Sequence, residues 1–211
     1  MRPLLDALEI EGKVITADAL LTQKEIAAYL VHERGADFVF TVKGNQPTLK
    51  HDIEALALRA RRCDYATTEK GHGQITTRRI WCDDSLNAYV NFPHVQQVFC
   101  IEREVTHLKQ GLTTVETVCG VTSQSPAKAS PKQILSQNRK HWSVENKQHY
   151  VLDVTFDEDR SQIRSLNGPM VMTCLRRYAI SLLRLKGYTN IAQACRRLWG
   201  KPHLAIRMAL P

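Results

Sequence analysis

A strand, a helix and a second strand follow one another within about 30 residues, and this alternation constrains the fold more than any other feature. Residues 13–17 (Lys-Val-Ile-Thr-Ala) and 38–42 (Phe-Val-Phe-Thr-Val) are short apolar runs. Between them, Thr22 and Glu25 have the spacing of a capping box, and apolar residues recur at helical spacing up to Gly35, a candidate C-cap. A parallel β-α-β unit is therefore predicted, and with it an α/β fold.

The pattern then changes to strands and back to helices. Pro47 opens a predicted helix that runs to about Arg61. Residues 64–124 are rich in β-branched and aromatic residues, which predicts antiparallel strands. Helical patterns return in three segments: from Ser130-Pro131, at 170–186 and at 189–199.

Composition limits the class of protein. Lys and Arg exceed Asp and Glu by eight, and the pI is about 9.3, which favours a polyanionic partner such as nucleic acid. The sequence contains neither an apolar run of about 18 residues nor a secretion signal, so we expect a cytoplasmic protein without a membrane partner. The six cysteines form no C-x-x-C pair, and reduced, mostly buried thiols are expected.

Two carboxylates stand at positions suited to chemistry. Asp18 follows the first predicted strand, where ligands bind in open α/β sheets, and an ordinary turn or N-cap aspartate is the alternative. Glu145 lies on the mostly apolar stripe of the helix opened by Ser130-Pro131. Its burial calls for a metal, a cation or a hydrogen-bonding partner, with a structural salt bridge as an equal alternative. His141 and His149 lie four residues before and after Glu145. A zinc site formed by two of these three residues therefore remains an alternative.

Arginine is concentrated in the last third of the chain. In the helix at 170–186, Arg176 and Arg177 lie largely outside the apolar face. A solvated helix face is the ordinary interpretation, but this density of arginine favours contact with phosphates. The basic residues concerned are Arg160, Arg164, Arg176, Arg177, Arg184, Lys186, Arg196, Arg197, Lys201 and Arg207.

Six strings of residues carry a resemblance to a known family. They are 12–19 (Gly-Lys-Val-Ile-Thr-Ala-Asp-Ala), 23–25 (Gln-Lys-Glu), 36–47 (Ala-Asp-Phe-Val-Phe-Thr-Val-Lys-Gly-Asn-Gln-Pro), 71–73 (Gly-His-Gly), 138–146 (Asn-Arg-Lys-His-Trp-Ser-Val-Glu-Asn) and 152–159 (Leu-Asp-Val-Thr-Phe-Asp-Glu-Asp). In this order the strings resemble the H-repeat-associated group of DDE-type insertion-sequence transposases, over nearly the whole chain.

The resemblance implies a ribonuclease H-like core in which two aspartates and a glutamate bind two divalent cations, normally magnesium or manganese. Asp18 matches the second aspartate and Glu145 matches the glutamate. No residue matches the first aspartate, because only ten residues precede Glu11.

The expected fold is therefore α/β: a partial ribonuclease H-like core with an antiparallel β insertion and C-terminal helices. We expect one truncated catalytic domain over residues 1–211. Its expected parts are a β-α-β-α portion of the core at 11–62, the β-rich insertion at 64–124, and the glutamate helix with basic helices at 130–211.

The expected function is metal-dependent DNA cleavage and strand transfer, with insertion-sequence terminal repeats and target DNA as partners. Because the triad is incomplete, this chain alone is expected to transpose poorly or not at all. A catalytically inactive DNA-binding fragment that competes for the element ends is the alternative, a structural metalloprotein is a second one, and a homodimer is left open. Candidate DNA contacts are Lys43, Asn45, His72, Arg139, His141, Arg160, Arg176, Arg177, Arg196 and Arg197.

Overall fold

The strands form one mixed sheet in the part of the chain that the structure, a computed structural model, describes: residues 2–144 and 149–209. The strands are β1 (Val14–Ala17), β2 (Asp37–Val42), β3 (Tyr65–Gly71), β4 (Gln74–Asp83), β5 (Gln97–His107) and β6 (Thr113–Thr122). Their order across the sheet is β1-β2-β6-β5-β4-β3. The β1–β2 pair is parallel, and every other pair is antiparallel.

The predicted β-α-β unit is confirmed. The parallel register places Ala17 opposite Phe40, and the connection contains α2 (Lys24–Ala28), which continues into a π-helical turn at Tyr29–Glu33. The predicted capping box is wrong, because Gln23 precedes the helix. The hydroxyl of Thr22 is buried and donates instead to the carbonyl oxygen of Thr41 at 2.7 Å. A buried hydroxyl needs such an acceptor, and the end of β2 supplies it.

Helices cover both faces of this sheet. They are α1 (Arg2–Asp6), α2, α3 (Pro47–Ala55) and α4 (Pro131–Val144). Because successive side chains of a strand point to opposite faces, Phe38 and Phe40 pack in the larger core with residues of α1, α2 and α3. Val39 points the other way and packs with Ile134 and Leu135 of α4. The sheet is therefore the middle layer of the first compact unit, Met1–His141.

The β-rich stretch at 64–124 continues the sheet, because β6 pairs directly with β2. Gly120 lies at this junction. A Cβ at this position would stand 2.4 Å from the carbonyl oxygen of Phe40 and 2.3 Å from Cζ of Phe99. Glycine is thus required where β6 passes between its two neighbours. The helix predicted from Pro47 to about Arg61 ends early, since Ala57 adopts the left-handed conformation and a 3₁₀ turn follows at Leu58–Ala60.

The expectation of six reduced cysteines is also wrong. Cys100 of β5 and Cys119 of β6 are directly opposite in the antiparallel register and are joined by a disulfide. Both are buried in the larger core. The sequence gives no sign of this pairing, because it arises from the register of two strands rather than from spacing along the chain.

The second compact unit, Trp142–Pro211, is helical in its described part. It contains a π-helical turn (Val151–Thr155), a 3₁₀ turn (Glu158–Arg160), α5 (Gly168–Leu185), α6 (Ile191–Trp199) and α7 (Pro202–Ala209). Leu152, Ile180, Leu183, Ile191 and Ala194 form its buried core. Within the described ranges, no helix is long and apolar enough to cross a membrane.

Candidate catalytic site at the ends of β1 and β2

Asp18 directly follows the last residue of β1 and begins the loop that leaves the sheet. Its carboxylate accepts a hydrogen bond from the backbone N–H of Ala19 at 2.6 Å and so caps the 3₁₀ turn at Ala19–Leu21. The side chain stays 61% exposed. Asp18 is thus an N-cap, which was the alternative to a ligand-binding role. Its carboxylate also faces solvent at the carboxyl end of a parallel strand, which is where ligands bind in α/β sheets.

Lys43 occupies the equivalent place after β2. Because β1 and β2 are parallel neighbours, the residues that follow them meet at the same edge of the sheet. The Lys43 Nζ atom lies 3.7 Å from Oδ1 of Asp18. Both side chains are more than half exposed, so this pair is weak and open to exchange with other ions.

The residues after Lys43 hold the Asp18 loop in place. The amide nitrogen of Asn45 donates to the carbonyl oxygen of Ala19, and the amide nitrogen of Gln46 donates to that of Thr22 at 3.0 Å. Asn45 was expected to contact DNA, whereas its amide has a partner within the chain. The sequence does not mark Gln46 as a site residue, although Gln46 lies in the string 36–47.

Helix α4 is anchored beside β1 by His141. The Nδ1 atom of His141 lies 3.3 Å from the hydroxyl of Thr16, two residues before Asp18. Glu145 follows His141 by four residues in the sequence and lies outside the described residues. Among residues 2–144 and 149–209, no group of three His, Cys, Asp or Glu side chains could hold a metal ion, and this includes His149.

Two further candidate DNA contacts of the first unit lie on or near β3. Arg139 of α4 makes a bidentate pair with Glu69, at 2.7 and 2.9 Å, and Arg78 also contacts this carboxylate at 3.3 Å. The hydrogen bond from Arg139 lowers the pKa of Glu69. His72 is exposed in the turn between β3 and β4, in the left-handed conformation with φ of 50°.

The basic residues of the second unit differ in their surroundings. Arg176 is only 12% exposed and pairs with Glu158 at 3.2 Å. Glu158 also accepts a hydrogen bond from Thr173, and this bond, followed by that from Arg176, lowers the pKa of the carboxyl group. Arg160 is exposed and pairs with Asp157 at 3.6 Å. Arg177, Arg196 and Arg197 are exposed.

The chain is similar to known transposases. The family model described as "Transposase DDE domain" matches residues 1–183. "Putative protein YbfL" of Escherichia coli (strain K12) is 33% identical over 193 residues, which are 85% of this chain and 50% of that protein. "H repeat-associated putative transposase YhhI" of the same strain is 32% identical, with the same coverage of both chains.

The chain spans half the length of these two relatives. Among solved structures, the piggyBac transposase in a synaptic complex with hairpin DNA has a TM-score of 0.35 and 13% identity, covering 71% of this chain and 26% of that one. The family match covers most of the chain, and two relatives, YhhI and "H repeat-associated putative transposase YbfD" of the same strain, carry the H-repeat name. The chain belongs to the DDE transposase family and to its H-repeat-associated group.

Proposed function

We propose that this protein acts in DNA transposition, with Asp18 and Glu145 as ligands of magnesium or manganese and with DNA as the substrate. The observation that carries the proposal is the exposed Asp18 carboxylate at the joint carboxyl ends of β1 and β2, 3.7 Å from Lys43. An exposed carboxylate beside a cation suits a site that exchanges its partners when a metal and a phosphate arrive.

The donor chemistry fits the metal. Magnesium prefers carboxylate oxygens, and one or two carboxylates with substrate phosphates form its usual protein sites. When bound, divalent cations activate the attacking hydroxyl and stabilise the leaving oxygen at phosphorus. Glu145 enters the proposal through the resemblance of the string 138–146 to the family.

The chain's own residues have distinct tasks in this proposal. Asp18 supplies metal-binding oxygens, and Asn45 and Gln46 keep its loop in position through the carbonyl groups of Ala19 and Thr22. Lys43 turns from Asp18 to a DNA phosphate. We also infer a ribonuclease H-like core, supported by the parallel β1–β2 pair and by helices on both faces of the sheet.

A metal titration tests the ligand assignment without requiring turnover. We expect Mn²⁺ to broaden the amide NMR signals of Asp18, Ala19 and Lys43 in the 211-residue chain, and Asp18→Asn to weaken this binding at least tenfold. The matched control is Asp84→Asn, since Asp84 is an exposed aspartate after β4. Broadening that is unchanged in Asp18→Asn would contradict the proposal.

DNA binding separates the proposal from an inactive competitor of the element ends. We expect Mg²⁺ to strengthen binding of a DNA duplex with a free 3′-hydroxyl end, and Asp18→Asn to abolish this gain. Binding that responds to neither magnesium nor the substitution would favour the inactive DNA-binding fragment instead.

A further inference from the structure

A cavity lies against the disulfide that joins β5 and β6. Its volume is about 670 Å³, and both Cys100 and Cys119 line it. The three residues that precede Cys119 in β6 line it as well, together with residues of α3 and of the end of β2. A cavity of this volume holds a ligand of the size of a small peptide, and a disulfide on its wall can exchange with a thiol that enters.

We propose that this cavity is a site of thiol–disulfide exchange, in which an anionic thiol such as glutathione forms a mixed disulfide with Cys119. The thiolate attacks Sγ of Cys119 and forms the new S–S bond. The bond to Cys100 breaks, its electron pair stays on Sγ of Cys100, and that sulfur takes a proton from water. The step needs no further oxidant, because the existing disulfide is the oxidised partner.

The register of the sheet selects Cys119 over Cys100 as the sulfur that is attacked. In such an exchange the attacking, attacked and leaving sulfurs lie in a line, so the thiolate approaches from the side opposite the leaving sulfur. On that side of Cys119 lies Val42 of β2, which lines the cavity. On the far side of Cys100 lies Trp81 of β4, whose indole packs in the larger core and is 4% exposed. The approach to Cys119 is open, and the approach to Cys100 is blocked.

The charged groups around the cavity complement such a thiol. Cations reach the cavity from the end of β2, from α3 and from the 3₁₀ turn after α3, and they are Lys43, Lys50 and Arg59. The carboxylates of Glu54 and Glu116 also line the cavity, which leaves an excess of positive charge. Glutathione carries carboxylates and an ammonium group with a net negative charge, so its groups of both signs find partners.

The ion pairs at the cavity can exchange for those of a ligand. Lys50 pairs with Glu54 at 3.6 Å within α3. Arg59 contacts Glu102 at 3.4 Å and the hydroxyl of Thr117 at 3.1 Å. The Lys50 and Arg59 side chains are 45% and 54% exposed. Exposed pairs of this kind are weak, so a carboxylate of the ligand can replace the partner within the chain.

Reduction of the folded full chain by glutathione tests the site. In the absence of air, reduced glutathione forms a mixed disulfide only with an existing disulfide, so the four free cysteines stay unmodified. The rate at which the Cys100–Cys119 bond is lost, measured by mass spectrometry after acid quenching, should rise in proportion to the glutathione concentration. A rate that becomes independent of this concentration would show that unfolding must come first and would overturn the proposal.

Comparison of thiols of opposite charge tests the recognition. At low salt, the glutathione thiolate should react about fivefold faster than the thiolate of cysteamine, which carries an ammonium group. Lys50→Met and Arg59→Met should each lower the glutathione rate about two- to threefold without lowering the cysteamine rate. The matched control is Lys70→Met, which removes the same charge from an exposed residue of β3, at the edge of the sheet. Equal rates for the two thiols, or an equal loss in Lys70→Met, would overturn the role of the cavity.

Variants that keep one cysteine of the pair test the choice of sulfur. Cys100→Ser retains Cys119 as a free thiol, Cys119→Ser retains Cys100, and both variants lack the disulfide. With oxidised glutathione as the reagent, Cys119 should form a stable mixed disulfide about tenfold faster than Cys100, because the opening on the β2 side reaches Cys119. Peptide mass spectrometry measures both rates. Equal rates, or faster modification of Cys100, would contradict the assignment to Cys119.

Discussion

Lys43 Nζ lies 3.7 Å from Oδ1 of Asp18, so in the proposed metal site its ammonium group competes with a divalent cation for the Asp18 carboxylate. Removal of the lysine charge in Lys43→Met should therefore strengthen Mn²⁺ binding at Asp18, by about two- to fivefold because both groups are exposed. The same change should weaken DNA binding, since a phosphate contact is lost. In Lys43→Met, a metal titration should therefore show a higher Mn²⁺ affinity, and a DNA titration should show a lower DNA affinity. Weaker metal binding in Lys43→Met would show that the lysine supports the metal site rather than competing with it.

The amide of Asn45 gives a second prediction. Asn45→Ala should remove the hydrogen bond to Ala19 and lower the free energy of unfolding by about 1 kcal/mol. Metal affinity should fall as well, because the loop that begins at Asp18 is no longer held. Asn91→Ala is the control, since Asn91 is exposed in a loop. If urea unfolding and Mn²⁺ titration of Asn45→Ala match those of Asn91→Ala, the amide does not position the loop.

The parts of the fold that depend on local pattern were predictable from the sequence. The strands around Ile15 and Val39 and the start of α4 at Pro131 follow from runs of apolar residues and a helix-start signal. Pairings between distant segments were not. The β2–β6 pairing and the cross-strand disulfide depend on register, which local sequence does not specify.

The candidate site shows the same division. The position of Asp18 at a strand end was visible in the sequence, and the resemblance supplied its proposed role. The pairing of Asp18 with Lys43 could not be predicted from the sequence, because it requires the parallel register of β1 with β2. Arg176 was predicted from the sequence to lie outside the apolar face and to contact phosphates, yet its side chain is only 12% exposed and pairs with Glu158 of the 3₁₀ turn at Glu158–Arg160.

The disulfide determines how many cysteine thiols can react before and after reduction. Four thiols should react in the denatured, unreduced protein, and six should react after reduction, because Cys100 and Cys119 are joined. In the folded protein the exposed Cys174 should react first. Cys82 should react last, since burial raises the pKa of its thiol to about 12. Six reactive thiols in denatured protein kept free of reductant from purification onward would mean that the pair is not formed.

The same pair predicts a stability change. Replacement of both cysteines by serine should lower the free energy of unfolding by about 3 kcal/mol, the usual contribution of a disulfide that closes a loop of this length. Cys174→Ser is the control, because Cys174 is exposed and unpaired by disulfide. Equal urea midpoints for the double variant and the control would contradict the prediction.

Glu158 predicts a pH dependence. Hydrogen bonds from Thr173 and Arg176 lower the pKa of its carboxyl group in the folded protein. A lowered pKa contributes stability that is present above the unfolded pKa and is lost as pH falls through the folded pKa. Glu158→Gln should thus cost about 1–2 kcal/mol at pH 7 and almost nothing below the folded pKa. Urea unfolding at several pH values measures this difference, and a cost that stays constant with pH would exclude the carboxylate as its source.

Substitutions of Arg176 and of the pair Arg196–Arg197 should have different effects, the first on stability and the second on DNA binding. Arg176 is largely buried against Glu158, so Arg176→Ala should lower the melting temperature with little change in the salt dependence of DNA binding. Arg196 and Arg197 are exposed in the last turn of α6. Their double replacement by alanine should reduce the slope of log K against log salt by about two, one for each lost phosphate contact, with only a small change in melting temperature. Duplex DNA titrations at several salt concentrations, beside thermal melts of each variant, provide the measurement. An unchanged slope in the double variant would place the DNA contact on another surface of the chain.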